Sequence, residues 1–271
     1  MKKTILRVLM YLGVYLLLQV AFSSILSIGA TIYYAATGSV DASQLSSPDA
    51  MQQLASIGWV LGLSSLLSNI AAIAVMLYLH WADFSLGRIG KPAAAGVMLT
   101  ATLIGITQAV PTGYLTEVLQ AEDILSDVFS GMMNNVWGIL ALCVGAPLGE
   151  ELLFRGAIQR ELHKRVRPWI AIGITALLFA LIHGNPVQMV AGFLMGCVLG
   201  WLYWRTGSVW PGIAMHFANN TLSTVMASIY GQDAKTADIF GQGWQLYAVV
   251  AALTVATIAL LWLFNRKSKE L

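Results

Sequence analysis

Eight apolar stretches of bilayer-spanning size divide this sequence, and no other feature limits its fold as much. They cover about 5–35, 53–80, 94–112, 132–154, 168–184, 187–204, 208–230 and 245–264. Crossing a hydrocarbon core takes roughly 20 apolar residues. A backbone inside that core must satisfy its own polar groups, which for single segments means helices. Composition agrees: 58% of residues are hydrophobic and 10% charged, with mean hydropathy +0.73. A soluble domain carries about a quarter charged residues. The expected fold class is therefore all-α: one polytopic membrane domain over 1–271 with about eight transmembrane helices. The N-terminus, MKKTILR, imitates a secretory signal, but the apolar run behind it extends from Leu9 to about Tyr34. A signal core holds only ~7–15 residues, so this run reads as a retained first span. Cys143 and Cys197 both lie in apolar segments and make no disulfide framework.

Polar punctuation separates the spans. Residues 38–50 read as a Ser/Asp/Pro loop, 82–93 as a short basic loop, 116–129 as an acidic amphipathic helix, 160–168 as a basic turn and 231–243 as a Gly-rich loop. Lysine and arginine concentrate on the cytoplasmic side of membrane proteins. With eight spans and a cytoplasmic N-terminus, the inner segments hold 13 of the 15 Lys and Arg residues. The outer loops hold only Lys235, and Arg155 lies within a span. Both termini are thus expected in the cytoplasm, in a multi-pass protein of the cytoplasmic membrane. Nothing in the charge pattern calls for nucleic acid. Gly192, Gly196 and Gly200, and likewise Gly145 and Gly149, recur at the four-residue spacing that lets helices approach closely.

Ionisable groups inside a membrane are costly and usually face a cavity or a partner. Here they are Glu150, Glu151, Arg155, His183 and His216, joined by the amides Asn219 and Asn220. Glu151 and Arg155 stand i,i+4 with the acid first, the favourable order for an ion pair. Glu150 points about 100° away. Arg155 can therefore neutralise Glu151 and leave Glu150 to act as a general base. Such a cluster could equally be a salt bridge that merely ends a span. Phe179 with His183, and His216 with Asn220, repeat the i,i+4 spacing, so each pair shares a helix face. The turn between the fourth and fifth spans centres near Val166–Arg167. Glu150 lies 16–17 residues before that centre and His183 16–17 after it, so an antiparallel hairpin sets them at one height. His216 lies 11 residues past Arg205, on a helix entering from the same side. One cavity reached from the cytoplasmic side could gather them all.

In order along the chain, Glu150-Glu151-x-x-x-Arg155, Phe179-x-x-x-His183 and His216-x-x-x-Asn220 resemble the motifs of the CAAX-protease and bacteriocin-processing family. These are intramembrane endopeptidases, also called Abi proteins or type II prenyl-protein proteases. The resemblance covers roughly residues 130–230. It implies a catalytic core there, preceded by spans over 1–129 that carry no matching motif and followed by an outer loop and last span over 231–271. It implies that Glu150 activates a water and His183 orients it or relays its proton. His216 and Asn220 would then stabilise the oxyanion, and Arg155 would position the glutamate pair. Glu150, His183 and His216 could instead hold a divalent metal such as zinc. The sequence has no HExxH motif, and asparagine is a poor zinc ligand, so a metal-free water is favoured. The implied partners are the bilayer and a membrane-associated substrate, either a prenylated tail or a leader-type peptide. A non-catalytic immunity or scaffold protein keeping the same fold is the alternative. Oligomeric state is not legible.

Overall fold

The structure, a computed structural model, describes residues 2–37 and 58–269, apart from the side chains of residues 91–93. The expected 38–50 loop and the start of the second span lie outside these residues. Helices α1 (Lys2–Ala36), α2 (Gly58–Tyr78) and α3 (Lys91–Val118) come first. Helix α3 runs through Pro111 and so exceeds the 94–112 expected. A proline is tolerated in a membrane helix where neighbouring groups satisfy the backbone it frees.

The acidic helix expected over 116–129 is not formed as one unit. Residues 116–118 complete α3, and Gln120, at φ +53°, turns the chain out of the helix. The Asp123 side chain then accepts from the Leu125 amide at 3.1 Å. Helix α4 (Ser126–Met133) begins only after that turn. The local side-chain bond competes with the helical ladder, as Asp commonly does.

Helix α5 spans Val136–His163 and continues into the region expected to be a basic turn, which shrinks to 164–167. It is wound as a π-helix over Ala141–Gly145 and again over Leu152–Gln159. Such winding is rare and tends to mark functional sites. Helices α6 (Pro168–Leu181) and α7 (Pro186–Thr206) are separate, as expected around HGNP. Gly184, at φ +62°, makes the turn between them, and Pro186 opens α7. Helices α8 (Trp210–Tyr230), α9 (Thr236–Phe240) and α10 (Trp244–Lys267) complete the chain.

The protein is an all-α polytopic membrane protein. Among the described residues six helices are long and apolar enough to cross a bilayer: α1, α2, α3, α5, α7 and α10. The other two expected spans are also helical. Helix α6 has 14 residues, and α8 has 21 but carries His216, Asn219 and Asn220. Helices α1 and α10 turn Leu17, Ile25, Val255 and Ile258 outward, as a lipid-facing surface requires. Helix α5 is the axis of the bundle. Every residue from Leu152 to Gln159 is buried, and α1, α2, α6, α7 and α8 pack around it.

The glycine stripes work as the spacing suggests. A Cβ on Gly196 would lie 3.0 Å from the Ala176 Cα, and one on Gly200 would lie 3.2 Å from an Ile172 methyl, so α6 and α7 can touch. Gly149 serves α2 in the same way: a Cβ there would collide with the Asn69 amide.

Candidate active site

Helix α5 supplies both acids and the arginine. Glu151 and Arg155 are fully buried, and Arg155 Nη1 donates to Glu151 Oε1 at 2.7 Å. Arg155 Nη2 donates to the Gly196 carbonyl at 3.1 Å. One turn on, Gln159 Nε2 donates to the Gly200 carbonyl at 2.8 Å. The glycine stripe of α7 therefore does more than permit close packing. It bares two helical carbonyls for side chains of α5, an arrangement that sequence spacing alone does not reveal. The guanidinium also lies 4.7 Å from the centroid of the Phe179 ring, a cation–π contact in a desolvated setting.

Helix α8 brings His216, which is 2% exposed, between the two acids. Its Nδ1 lies 3.3 Å from Glu151 Oε1, and its Nε2 lies 3.9 Å from Glu150 Oε2. One imidazole thus faces both carboxylates, which the 100° separation on the helix did not suggest. A carboxylate only accepts, so Nδ1 carries the hydrogen toward Glu151. Gly212, one turn before His216, makes room for this contact: a Cβ there would sit 2.5 Å from Glu151 Oε2. The Glu150 side chain keeps 13% of its surface, whereas that of Glu151 keeps none. Its Oε2 is buried without a protein hydrogen-bond partner. Arg155 therefore binds Glu151 and leaves Glu150 uncommitted.

Helix α6 carries Phe179 and His183. The Phe179 ring stands edge-on to His183 at 4.9 Å and to His216 at 5.8 Å. It also meets Phe154 of α5 at 5.1 Å. Phe179 is the wedge that joins the three helices. His183 is half-buried and meets the cluster through that ring. Its Nδ1 lies 2.7 Å from the Phe179 carbonyl. A carbonyl only accepts, so Nδ1 carries the proton and Nε2 presents a lone pair. Phe179 packs against Phe154 and Arg155, about one helical turn along α5 from the glutamates.

Asn220 is placed differently from a free oxyanion donor. Its Nδ2 donates to the Leu142 carbonyl, in the first π-wound turn of α5, at 3.0 Å. Its Oδ1 accepts from Asn219 Nδ2 at 3.3 Å. One N–H of the amide remains for another acceptor.

Two residues from the N-terminal spans also reach the site. Asn69 of α2 presses on Gly149, next to Glu150, and accepts from Tyr15 Oη of α1 at 3.1 Å. Both are buried. Isolated polar residues in apolar spans were the sequence signal for them, but nothing local points Asn69 toward Gly149.

Among the described residues no three His, Cys, Asp or Glu side chains form a metal-holding group. The buried Arg155 cation, paired with Glu151, stands beside the candidate ligands.

Residues 132–222 match the family model described as type II CAAX prenyl endopeptidase Rce1-like. All seven motif residues fall within that stretch, so the resemblance read from the motifs is shown there. A curated Bacillus subtilis (strain 168) protein named "Putative membrane peptidase YdiL" is 27% identical over 88 residues, 32% of this chain and 36% of that protein. An "Uncharacterized 24.3 kDa protein" of Escherichia coli is 27% identical over 146 residues, 51% of this chain and 64% of that protein. The chain therefore spans less than two thirds of either relative. No solved structure matches it at a comparable level. The matched family is one of membrane proteases.

Proposed function

We propose that this chain, whose motif-bearing stretch matches the Rce1-like model, is an intramembrane endopeptidase that hydrolyses a peptide bond in a membrane-associated substrate. Prenylated tails and leader-type peptides are the two substrate classes it would take. The carrying observation is the asymmetry of the acid pair. Glu151 is paired with Arg155 and has no exposed surface, while Glu150 has no arginine partner, keeps 13% of its side-chain surface and lies 3.9 Å from His216 Nε2 with its Oε2 buried and without a hydrogen bond.

Glu150 takes a proton from a water held against it. The water's oxygen attacks the scissile carbonyl carbon. His183 accepts from that water at Nε2 and keeps it in line. In its protonated form, His216 offers Nε2–H to the new oxyanion while Nδ1–H stays on Glu151. The free N–H of Asn220 is the second donor. The tetrahedral intermediate collapses, the C–N bond breaks, and Glu150 returns its proton to the leaving nitrogen. Preorganised donors of this kind contribute about 3 kcal/mol each in a dry site. With His216 protonated, Glu150, Glu151, Arg155 and His216 sum to zero charge, which suits a cluster buried this deeply. Residues 130–230 form the catalytic core in this reading, and the spans before and after it hold the core and shape access.

The test is Glu150→Gln in purified protein in vesicles, with a quenched fluorescent peptide tethered to the lipid. Hydrolysis should fall by about 10²–10⁴-fold, the usual contribution of a general base, with folding retained. Wild-type protein treated with a strong chelator should keep its rate. A chelator-sensitive rate would point to a metal route. Hydrolysis that survives Glu150→Gln would refute Glu150 as the base, and no hydrolysis by the wild-type protein would favour the non-catalytic scaffold.

A further inference from the structure

We infer that the end of the bundle remote from the basic turn 164–167 is a docking cleft for a basic, partly apolar peptide segment. The inference rests on the endopeptidase reading and gives its substrate a chemistry. A cavity of about 970 Å³ opens where the C-terminal parts of α3 and α8 meet the start of α7 and the segments 116–123 and 231–240. That volume is at the upper end of small-ligand sites and holds a few residues of peptide. Val110, Leu222 and Met226 give it an apolar lining, while Glu117, Glu122, Asp123, Asp233 and Lys235 supply the charge. Four carboxylates against one ammonium leave a net charge of −3.

The carboxylates are held in place without being neutralised. Glu117 accepts from the Thr236 amide and hydroxyl at 2.7 and 2.9 Å. Asp123 accepts from Asn185 Nδ2 at 2.8 Å and from Gln232 Nε2 at 3.2 Å. All of these donors are neutral. Among the described residues none of the four acids takes part in an ion pair. Glu122 and Asp233 are exposed at the rim. A concave surface with one sign of charge and low-dielectric walls concentrates the opposite charge.

The cleft adjoins the candidate active site along two routes. On α8, Leu222, Ser223 and Met226 follow Asn219 by three, four and seven residues and so share its face. Asn219 in turn donates to Asn220. On the other side, Val187 follows His183 by four residues, and the buried Asn185 between them is anchored to Asp123. A substrate seated here would approach from the end opposite the basic turn, not from the cytoplasmic side that the charge distribution suggests for the site.

The test measures binding on hydrolysis-deficient Glu150→Gln protein in nanodiscs of zwitterionic lipid, with empty discs as the blank. The probes are a labelled Lys/Leu decapeptide and its Glu/Leu counterpart. The basic peptide should bind, more weakly as salt rises, and the acidic one should not. The double substitution Glu122→Gln/Asp233→Asn should weaken binding by roughly three- to tenfold, the scale of two exposed ion pairs. It should leave thermal unfolding unchanged. Equal binding of both peptides, no binding above empty discs, or an unaffected double variant would each overturn the inference. Because binding is read without turnover, a failure of docking is distinct from a failure of the hydrolytic reading.

Discussion

The contact between Gly212 and Glu151 yields a prediction with a magnitude. Gly212→Ala adds one methyl group. On helix propensity alone it should stabilise α8 by about 0.5–1 kcal/mol. The structure reverses the sign. The new carbon would stand 2.5 Å from Glu151 Oε2 and 3.3 Å from its Cδ. Glu151 cannot swing aside, because Arg155 holds it at 2.7 Å and neither side chain touches solvent. If the backbone yields instead, overpacking costs about 1–3 kcal/mol. If Glu151 yields, a buried ion pair breaks at about 3–5 kcal/mol. Subtracting the propensity gain leaves a net loss of roughly 0–2.5 kcal/mol if the backbone yields and roughly 2–4.5 kcal/mol if Glu151 yields. Gly173→Ala is the control: it lies inside α6, and a Cβ there meets nothing within 4 Å. At about 2–4 °C per kcal/mol for a chain of this size, thermal unfolding in detergent should fall by several degrees for Gly212→Ala. It should hold or rise for Gly173→Ala. Hydrolysis should fall in the first variant only, since the Glu151–His216 contact moves with the acid. If the two variants unfold at the same temperature, Glu151 is not pinned as described.

Other perturbations test other parts of the structure. Arg155→Lys keeps the charge but loses the fork that serves Glu151 and the Gly196 carbonyl together. It should cost several kcal/mol in chemical denaturation and most of the activity; near-wild-type behaviour would mean that charge alone suffices. Asn185→Ala removes the bonds to Asp123 and to the Ile124 amide, each worth about 1 kcal/mol. It should raise proteolysis or hydrogen exchange in 119–125 before it affects the rest of the bundle. Asp83, in the loop before α3, has its carboxyl held below the ordinary range by hydrogen bonds from Ser85 and, to a lesser degree, by the Arg160 guanidinium. A carboxyl depressed in the folded state stabilises the fold above its unfolded value, about 3.9. That contribution is lost as pH falls through the lower folded value. Asp83→Asn should therefore lower stability slightly at neutral pH and flatten the acid limb of the stability profile, the difference from wild type closing below about pH 4.

The helices were legible because a bilayer permits so little else. A run of 20 apolar residues has essentially one way to satisfy its backbone, and among the described residues each of the eight expected segments contains a helix. The motif residues were legible for a related reason. Charge inside hydrocarbon is costly enough that each buried Glu, Arg or His marks a place where something compensates it. The Glu151–Arg155 pair followed from i,i+4 spacing. The acidic 116–129 segment was misread because periodicity does not register the local bond from Leu125 to Asp123 or the turn at Gln120.

Tertiary structure alone decided which partner each polar group would find. Phe179 became the wedge between three helices, Gly212 the space for Glu151, the Gly196 carbonyl an acceptor, and Asn69 the neighbour of Gly149. None of these relations has a period or a fixed spacing along the chain. They arise where helices distant in sequence cross, and π-winding of α5 shifts the register that an α-helical count assumes. The sequence by itself therefore determined which residues had to be compensated, because hydrocarbon penalises them wherever they lie. Only packing decided by what, because a partner is set by distance in space.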